Sequence, residues 1–135
     1  MTFKSLYPLL QVRDVAASAQ FYRRHFDFAP VFESDWYVHL RGGAGPQELA
    51  LIAYDHDTIP PEGRRGTSGL VVSFEVEDAA AWAQRLEAAG VRIVQGLRDE
   101  VFGQRHVIAA DPDQVLLDII TPIDPDPDWL AQQQG

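Results

Sequence analysis

The side chains able to do acid–base or ligand chemistry in this chain are few and widely spaced. Tyr7 and Gln11 stand near the start, His39 and His106 lie inside strand-like runs, and Ser73, Glu75 and Asp118 fall in the second half. No catalytic spacing joins them. Ser68 and Ser73 lack a nearby His–Asp pattern, and Gly66-Thr-Ser-Gly69 is too short and wrongly placed to cradle a phosphate. The absence of cysteine excludes disulfides, thiolate metal sites and a cysteine nucleophile together. Each candidate also has a structural reading. A strand tyrosine is an amphipathic filler as readily as an acid. Glu75 near a strand end reads as solvated, and an isolated strand histidine is usually a hydrogen-bonded structural residue. His25 and His56 read as surface positions. Asp118 is either a ligand contact or a salt-bridge partner, with Arg105 as the basic candidate. Trp36 and Phe102 fall at a strand start and in a loop, where aromatic faces can stack on a flat ligand or cover a dimer interface.

The elements that position these residues are announced by a repeat. Val12-Arg-Asp-Val-Ala-Ala-Ser-Ala-Gln20 recurs 64 residues later as Val76-Glu-Asp-Ala-Ala-Ala-Trp-Ala-Gln84, with six of nine positions identical. Asp14 and Asp78 each stand between a strand-like run and an apolar helical pattern, where a carboxylate accepts the orphan N–H groups of the first turn. Val15, Ala19, Tyr22 and Phe26 share one helix face, and Ala79, Ala83 and Leu86 repeat it before the natural stop at Gly90. Strand-like runs surround each helix: Ser5 to Val12, Val31 to Phe32, Trp36 to Leu40 and Leu49 to Tyr54 in the first half. Leu70 to Val76, Val91 to Val94, Arg105 to Ala109 and Val115 to Thr121 follow in the second. Each half reads as strand, helix, then three strands.

At 135 residues and 46% hydrophobic, the chain reads as a single α+β domain with two modules, about 5–58 and 69–122. A Pro/Gly/Arg linker from His56 to Gly69 joins them, a loop over Gly42 to Gln47 separates two strands, and 123–135 form a tail. Three prolines in Pro122-Ile-Asp-Pro-Asp-Pro127 place the end of regular structure near Thr121, with Trp129 and Leu130 free to dock back. A net charge of −9 argues against nucleic acid and is compatible with a cationic ligand. No apolar run reaches the length of a membrane span and no signal-peptide core follows Met1, so a cytoplasmic protein without a membrane partner is expected.

The paired modules, the phrase Val12-Arg-Asp-Val-Ala-Ala-Ser-Ala-Gln-Phe-Tyr22, and Phe102-Gly-Gln-Arg-His-Val-Ile-Ala-Ala-Asp-Pro-Asp-Gln-Val-Leu-Leu-Asp118 resemble the vicinal oxygen chelate superfamily. That group includes glyoxalase I, extradiol dioxygenases, fosfomycin-resistance enzymes and bleomycin-resistance proteins. The resemblance covers about residues 5 to 122 and implies two βαβββ modules forming a curved mixed sheet around a concave cup. It also implies a divalent metal held from the opening and closing strand of each half. Those places fall on Tyr7, Leu51, Val71 and Asp118, of which only Asp118 is a conventional ligand, so the expectation is no metal and no cofactor.

Strand alternation puts Val71, Ser73 and Glu75, then Leu116, Asp118 and Ile120, then Tyr7, Leu9 and Gln11 on the cup side. The expected ligand-binding set is Tyr7, Gln11, Trp36, Leu51, Val71, Ser73, Phe102, His106 and Asp118, with no catalytic residue assigned. The resulting expectation is a homodimer that sequesters a small aromatic or cationic molecule, as bleomycin-resistance members do. The alternatives are a cofactorless isomerase or lyase using Asp118, Glu75 or His106, and a metal-dependent glyoxalase or dioxygenase relative.

Overall fold

The computed structural model describes residues 1–43 and 45–134. Residue 44 of the loop expected over Gly42 to Gln47, and the last residue of the tail, lie outside the described residues. The chain divides into two compact units, Met1–Ser68 and Gly69 onward, at the boundary the linker marks. Among the described residues the strands form two four-stranded mixed sheets, one per unit, an α+β fold that matches the two expected βαβββ modules.

The first unit runs β1 (Leu9–Val12), α1 (Val15–Phe26), β2 (Phe28–Glu33), β3 (Tyr37–Gly42) and β4 (Glu48–Ala53). Its sheet order is β1-β4-β3-β2, with β1 parallel to β4 and the other pairs antiparallel. Asp14 caps α1 as expected, its Oδ1 accepting the Ala17 N–H at 3.0 Å. Val15, Ala19, Tyr22 and Phe26 are buried along one helix face. The strand begins at Leu9, not Ser5: Pro8 has no N–H to give a ladder, although its carbonyl still accepts from Ala50.

The second unit repeats the plan with β5 (Val71–Glu75), α2 (Ala79–Ala88), β6 (Ile93–Glu100), β7 (Gln104–Ala110) and β8 (Leu116–Pro122), in sheet order β5-β8-β7-β6. Asp78 Oδ1 accepts the Ala81 N–H at 3.1 Å, and Gly90 takes the positive φ of 79° that ends the helix turn. β6 extends beyond the expected Val91 to Val94 because the charged run Gln95–Glu100, which carries no strand-like apolar signal, pairs with β7. The Asp111-Pro-Asp113 hairpin is closed by its own side chain, with Asp111 Oδ1 accepting the N–H groups of Asp113 and Val115 at 2.8 and 2.9 Å.

The tail carries a helix, α3 (Pro127–Gln134), where regular structure was expected to stop. Proline is suited to the first helical position, since its missing N–H would have no partner there. Asp126 supplies the cap, its Oδ1 accepting from Asp128 and Trp129 at 2.9 and 3.1 Å. Ile123 donates its N–H to Gly103 and Asp126 donates to Val101, so backbone bonds pin the tail to the turn between β6 and β7. Trp129 does dock back, its ring centroid 6.4 Å from that of Phe102.

Candidate functional site

Pairing register assigns every strand residue to a face. In the second unit Val107, Ala109, Leu117 and Ile119 form an apolar row, and Val107 and Ile93 line the space beneath Ala80 and Ala83 of α2. The opposite, open face carries Val71 and Ser73, Leu116 and Asp118, His106 and Ile108, then Gln95 and Arg98. The sequence reading of Val71, Ser73 and Asp118 on one face therefore holds, and His106 joins them. Ile120, assigned to the same side, is 5% exposed and adds to the core there.

The polar centre of this face is an imidazole held between two carboxylates. His106 is 6% exposed; its Nδ1 lies 2.7 Å from Asp118 Oδ1 and its Nε2 lies 2.8 Å from Glu100 Oε2. A carboxylate can only accept, so both contacts are satisfied together when both ring nitrogens carry protons. Burial, the largest single influence, works against that charge. The hydrogen bonds to Glu100 and Asp118 outweigh it, and the His106 pKa is raised above its ordinary value. The bond from His106, then the one from Arg98 Nε at 2.7 Å, lower the Glu100 pKa in turn. The second oxygen of Asp118 makes no hydrogen bond among the described residues. Arg105, the basic partner first considered for Asp118, instead grips Asp99 with two bonds of 2.7 and 3.0 Å. Strand alternation explains this: Arg105 and His106 are adjacent and must point to opposite faces.

In the first unit the expected positions need correction. Leu51 pairs with Leu10 and Val38, is 0% exposed, and shares the apolar row that runs through Leu40 to Gly42, where Phe28 meets Tyr22 of α1. It is a core residue under the helix. Leu49-Ala-Leu-Ile52 is apolar and buried on both faces, so its phase has no alternating pattern to reveal it. The repeat resolves it: 64 residues on from Leu9 is Ser73, Leu9 pairs with Ala50 as Ser73 pairs with Asp118, and the counterpart of Asp118 is therefore Ala50.

Gln11 is likewise committed elsewhere. Its Nε2 donates to the Gly63 carbonyl at 2.9 Å, its Oε1 accepts from Arg65 N–H at 3.3 Å, and its backbone exchanges bonds with Thr67. It ties the linker to β1. Trp36 is 37% exposed, but one face of its indole is stacked on His56 with centroids 3.8 Å apart and planes 6° from parallel. His56, read as a plain surface residue, fills the stacking position foreseen for a ligand. Phe102 is 48% exposed and leans on Trp129.

A second polar chain was missed in the sequence. His39 Nε2 lies 2.7 Å from Glu48 Oε1, and its Nδ1 lies 3.0 Å from the Tyr37 hydroxyl. With the Nε2–H donated to Glu48, Nδ1 accepts from Tyr37. Burial, then Tyr7, raise the Tyr37 pKa, and the Tyr7 ring meets His39 edge-on at 4.4 Å. Tyr37, His39 and Arg41 alternate along β3, and Glu48 pairs with Arg41 on β4, so one open face gathers them. The alternation was legible; the pairing partner Glu48 was not.

The metal implied by the resemblance finds a poor donor set. The first unit offers the Tyr7 phenol and the hydrocarbon of Leu51 or Ala50. The second offers Val71 and one carboxylate, Asp118, already bonded to His106. Among the described residues no group of three or more His, Cys, Asp or Glu side chains is arranged to hold a metal ion. Zinc sites ordinarily use at least three protein ligands, and these residues do not fit one.

The chain belongs to the glyoxalase/bleomycin resistance protein/dioxygenase superfamily, whose family model matches residues 4–119. Among solved structures, it is similar to a glyoxalase-related enzyme from Fulvimarina pelagi, with 24% identity and a TM-score of 0.72 over 92% of this chain and 95% of that one. Lactoylglutathione lyase from Agrobacterium tumefaciens gives 21% and 0.69, covering 90% and 96%. TioX from Micromonospora sp. ML1 gives 20% and 0.71, covering 90% and 100%. Identities this low show the shared fold alone. None of the curated proteins matches the sequence.

Proposed function

We propose that the protein binds a small molecule without a metal, in the manner of a sequestration or resistance protein, and that the ligand is a flat or aromatic cation. The observation that carries this reading is Asp118. One of its oxygens is fixed by His106, the other makes no hydrogen bond among the described residues, and apolar Val71, Leu116 and Ile108 share its face. Apolar walls with a few convergent polar groups are the usual make-up of a ligand site. A net charge of −9 also favours approach of a cation.

The test is titration calorimetry of cationic aromatic compounds against protein dialysed with a chelator. Binding that survives chelation and is lost in Asp118→Ala is the expected result. Binding that requires an added divalent metal, or stoichiometric metal that survives dialysis, refutes the metal-free reading.

A second reading, a cofactorless isomerase or lyase, is favoured by His106, whose ring is oriented by carboxylates on both sides. Turnover of any compound that binds, abolished by His106→Gln, would select it. We also propose a homodimer, because each sheet leaves two edge strands, and Val31 and Phe32 of the edge strand β2 are more than half exposed. Light scattering giving the mass of one chain at micromolar concentration would refute it. No helix among the described residues is long and apolar enough to cross a membrane.

A further inference from the structure

β6 is irregular on both sides of Gln95: its register against β7 shifts between Ile93 and Gln95 and again between Gln95 and Arg98. Bulges of this kind re-aim single side chains and are frequent beside functional sites. Here they set Gln95 opposite Ile108, which pairs with Asp118, which pairs with Ser73. One cross-strand row on the open face therefore reads Gln95, Ile108, Asp118, Ser73. The side-chain nitrogen of Gln95 is buried and has no hydrogen-bond partner among the described residues. A buried amide with two N–H groups and no acceptor is costly in a folded protein and calls for a partner. The charged groups beside it hold one another: Arg98 is held by Glu100, and Glu100 and Asp118 by His106.

We propose that Gln95 is a recognition residue of this face, donating from its amide to an oxygen acceptor on the ligand whose cationic end lies at Asp118. The assignment rests on the reading of Asp118 given above. Two strand spacings separate the two residues, about 10 Å between backbones. Ile108 between them supplies an apolar floor. The ligand class is a molecule about one aromatic ring long, with an ammonium or amidinium at one end and a carbonyl, ether or hydroxyl oxygen at the other.

Two measurements test it. The first compares 4-(aminomethyl)benzamide, which carries both ends, with benzylamine, which lacks the acceptor, by calorimetric titration of wild type and Gln95→Leu. The wild type should favour the amide-bearing compound by about tenfold, the scale of one hydrogen bond. Gln95→Leu should erase that preference and leave benzylamine unchanged. The second is the melting temperature without ligand. Gln95→Leu removes an unpartnered buried donor at similar volume, so it should melt above wild type; a donor serving the fold would give the opposite shift. Equal wild-type affinity for the two compounds, or a Gln95→Leu protein that melts lower, overturns the assignment. Failure of both compounds to bind counts against the cation site at Asp118 instead, and the melting comparison then decides for Gln95 alone.

Discussion

Replacing Asp118 by asparagine keeps the shape of the side chain and removes the charge that faces His106 at 2.7 Å. Hydrogen bonds to charged groups contribute about 1.5 to 3 kcal/mol and neutral ones about 1 kcal/mol. Asp118 keeps 16% of its side chain exposed, so screening trims the difference to about 1 kcal/mol. The effect depends on pH in a direction the structure dictates. The folded-state pKa of His106 is raised above 6.5, so the stability it contributes is fully present below that value. It is lost as pH rises through the raised folded value. Asp118→Asn should therefore cost about 1 kcal/mol near pH 5.5 and progressively less toward pH 9, as pH rises through the raised folded-state value. For a chain of this size that is about 3 to 6 °C in melting temperature at the lower pH. Thermal melts at the two pH values, with the His106 ring protons followed by NMR, check both parts. The variant should also titrate His106 at lower pH than wild type. An equal melting difference at both pH values, or an unmoved His106 titration, would refute the charged pairing.

Three further outcomes follow from the geometry. Gly103 has φ of 108°, and an added Cβ would lie 2.8 Å from the Ile123 carbonyl oxygen, so Gly103→Ala should lose about 2 kcal/mol or more in urea unfolding. His56→Ala removes the ring stacked on Trp36, at a cost of about 1 kcal/mol and with a change in Trp36 emission that a Trp36→Phe protein identifies. Asp126→Ala removes the cap of α3, which should loosen the Trp129 environment in near-UV circular dichroism at about 1 kcal/mol of stability; an unchanged spectrum would mean the cap is not what holds that helix.

The parts of this structure legible in the sequence are those with local causes. Asp14 and Asp78 cap their helices because a carboxylate beside free N–H groups has one best use, and the 64-residue repeat carries that logic into both units. Open-face positions on β5 and β8 were legible wherever apolar and polar residues alternate, as in Val71-Val-Ser-Phe-Glu75. The run Leu49 to Ile52 does not alternate, and there only the register with β1 shows that Leu51 faces the helix. Glu100, and the pairing of Glu48 with His39, escaped notice for a different reason. Each is a glutamate in a polar stretch until a neighbouring strand sets a histidine beside it, and that pairing is a property of the sheet. Gln11 illustrates the converse: alternation along β1 sets it opposite the buried Leu10 and Val12, as read, but the linker that uses up its amide is far along the chain. The helix after Asp126 did have a local signal, the Asp-Pro start, which three clustered prolines obscured.

The parallel pairing of each unit's opening strand with its closing one also governs the order in which a growing chain can fold. Leu9 has no ladder partner until Ala50 has been made, and Val71 none until Leu116. The antiparallel pairs β2–β3 and β6–β7 join neighbours in sequence and can form at once, leaving β1 and β5 to close last across the longest separations. During synthesis the first unit can complete its sheet before the second begins, because every one of its strand pairings lies within its own residues. Each half then has only one slow, long-range step, and the apolar strand Leu49–Ile52 is the segment left exposed until that step is done.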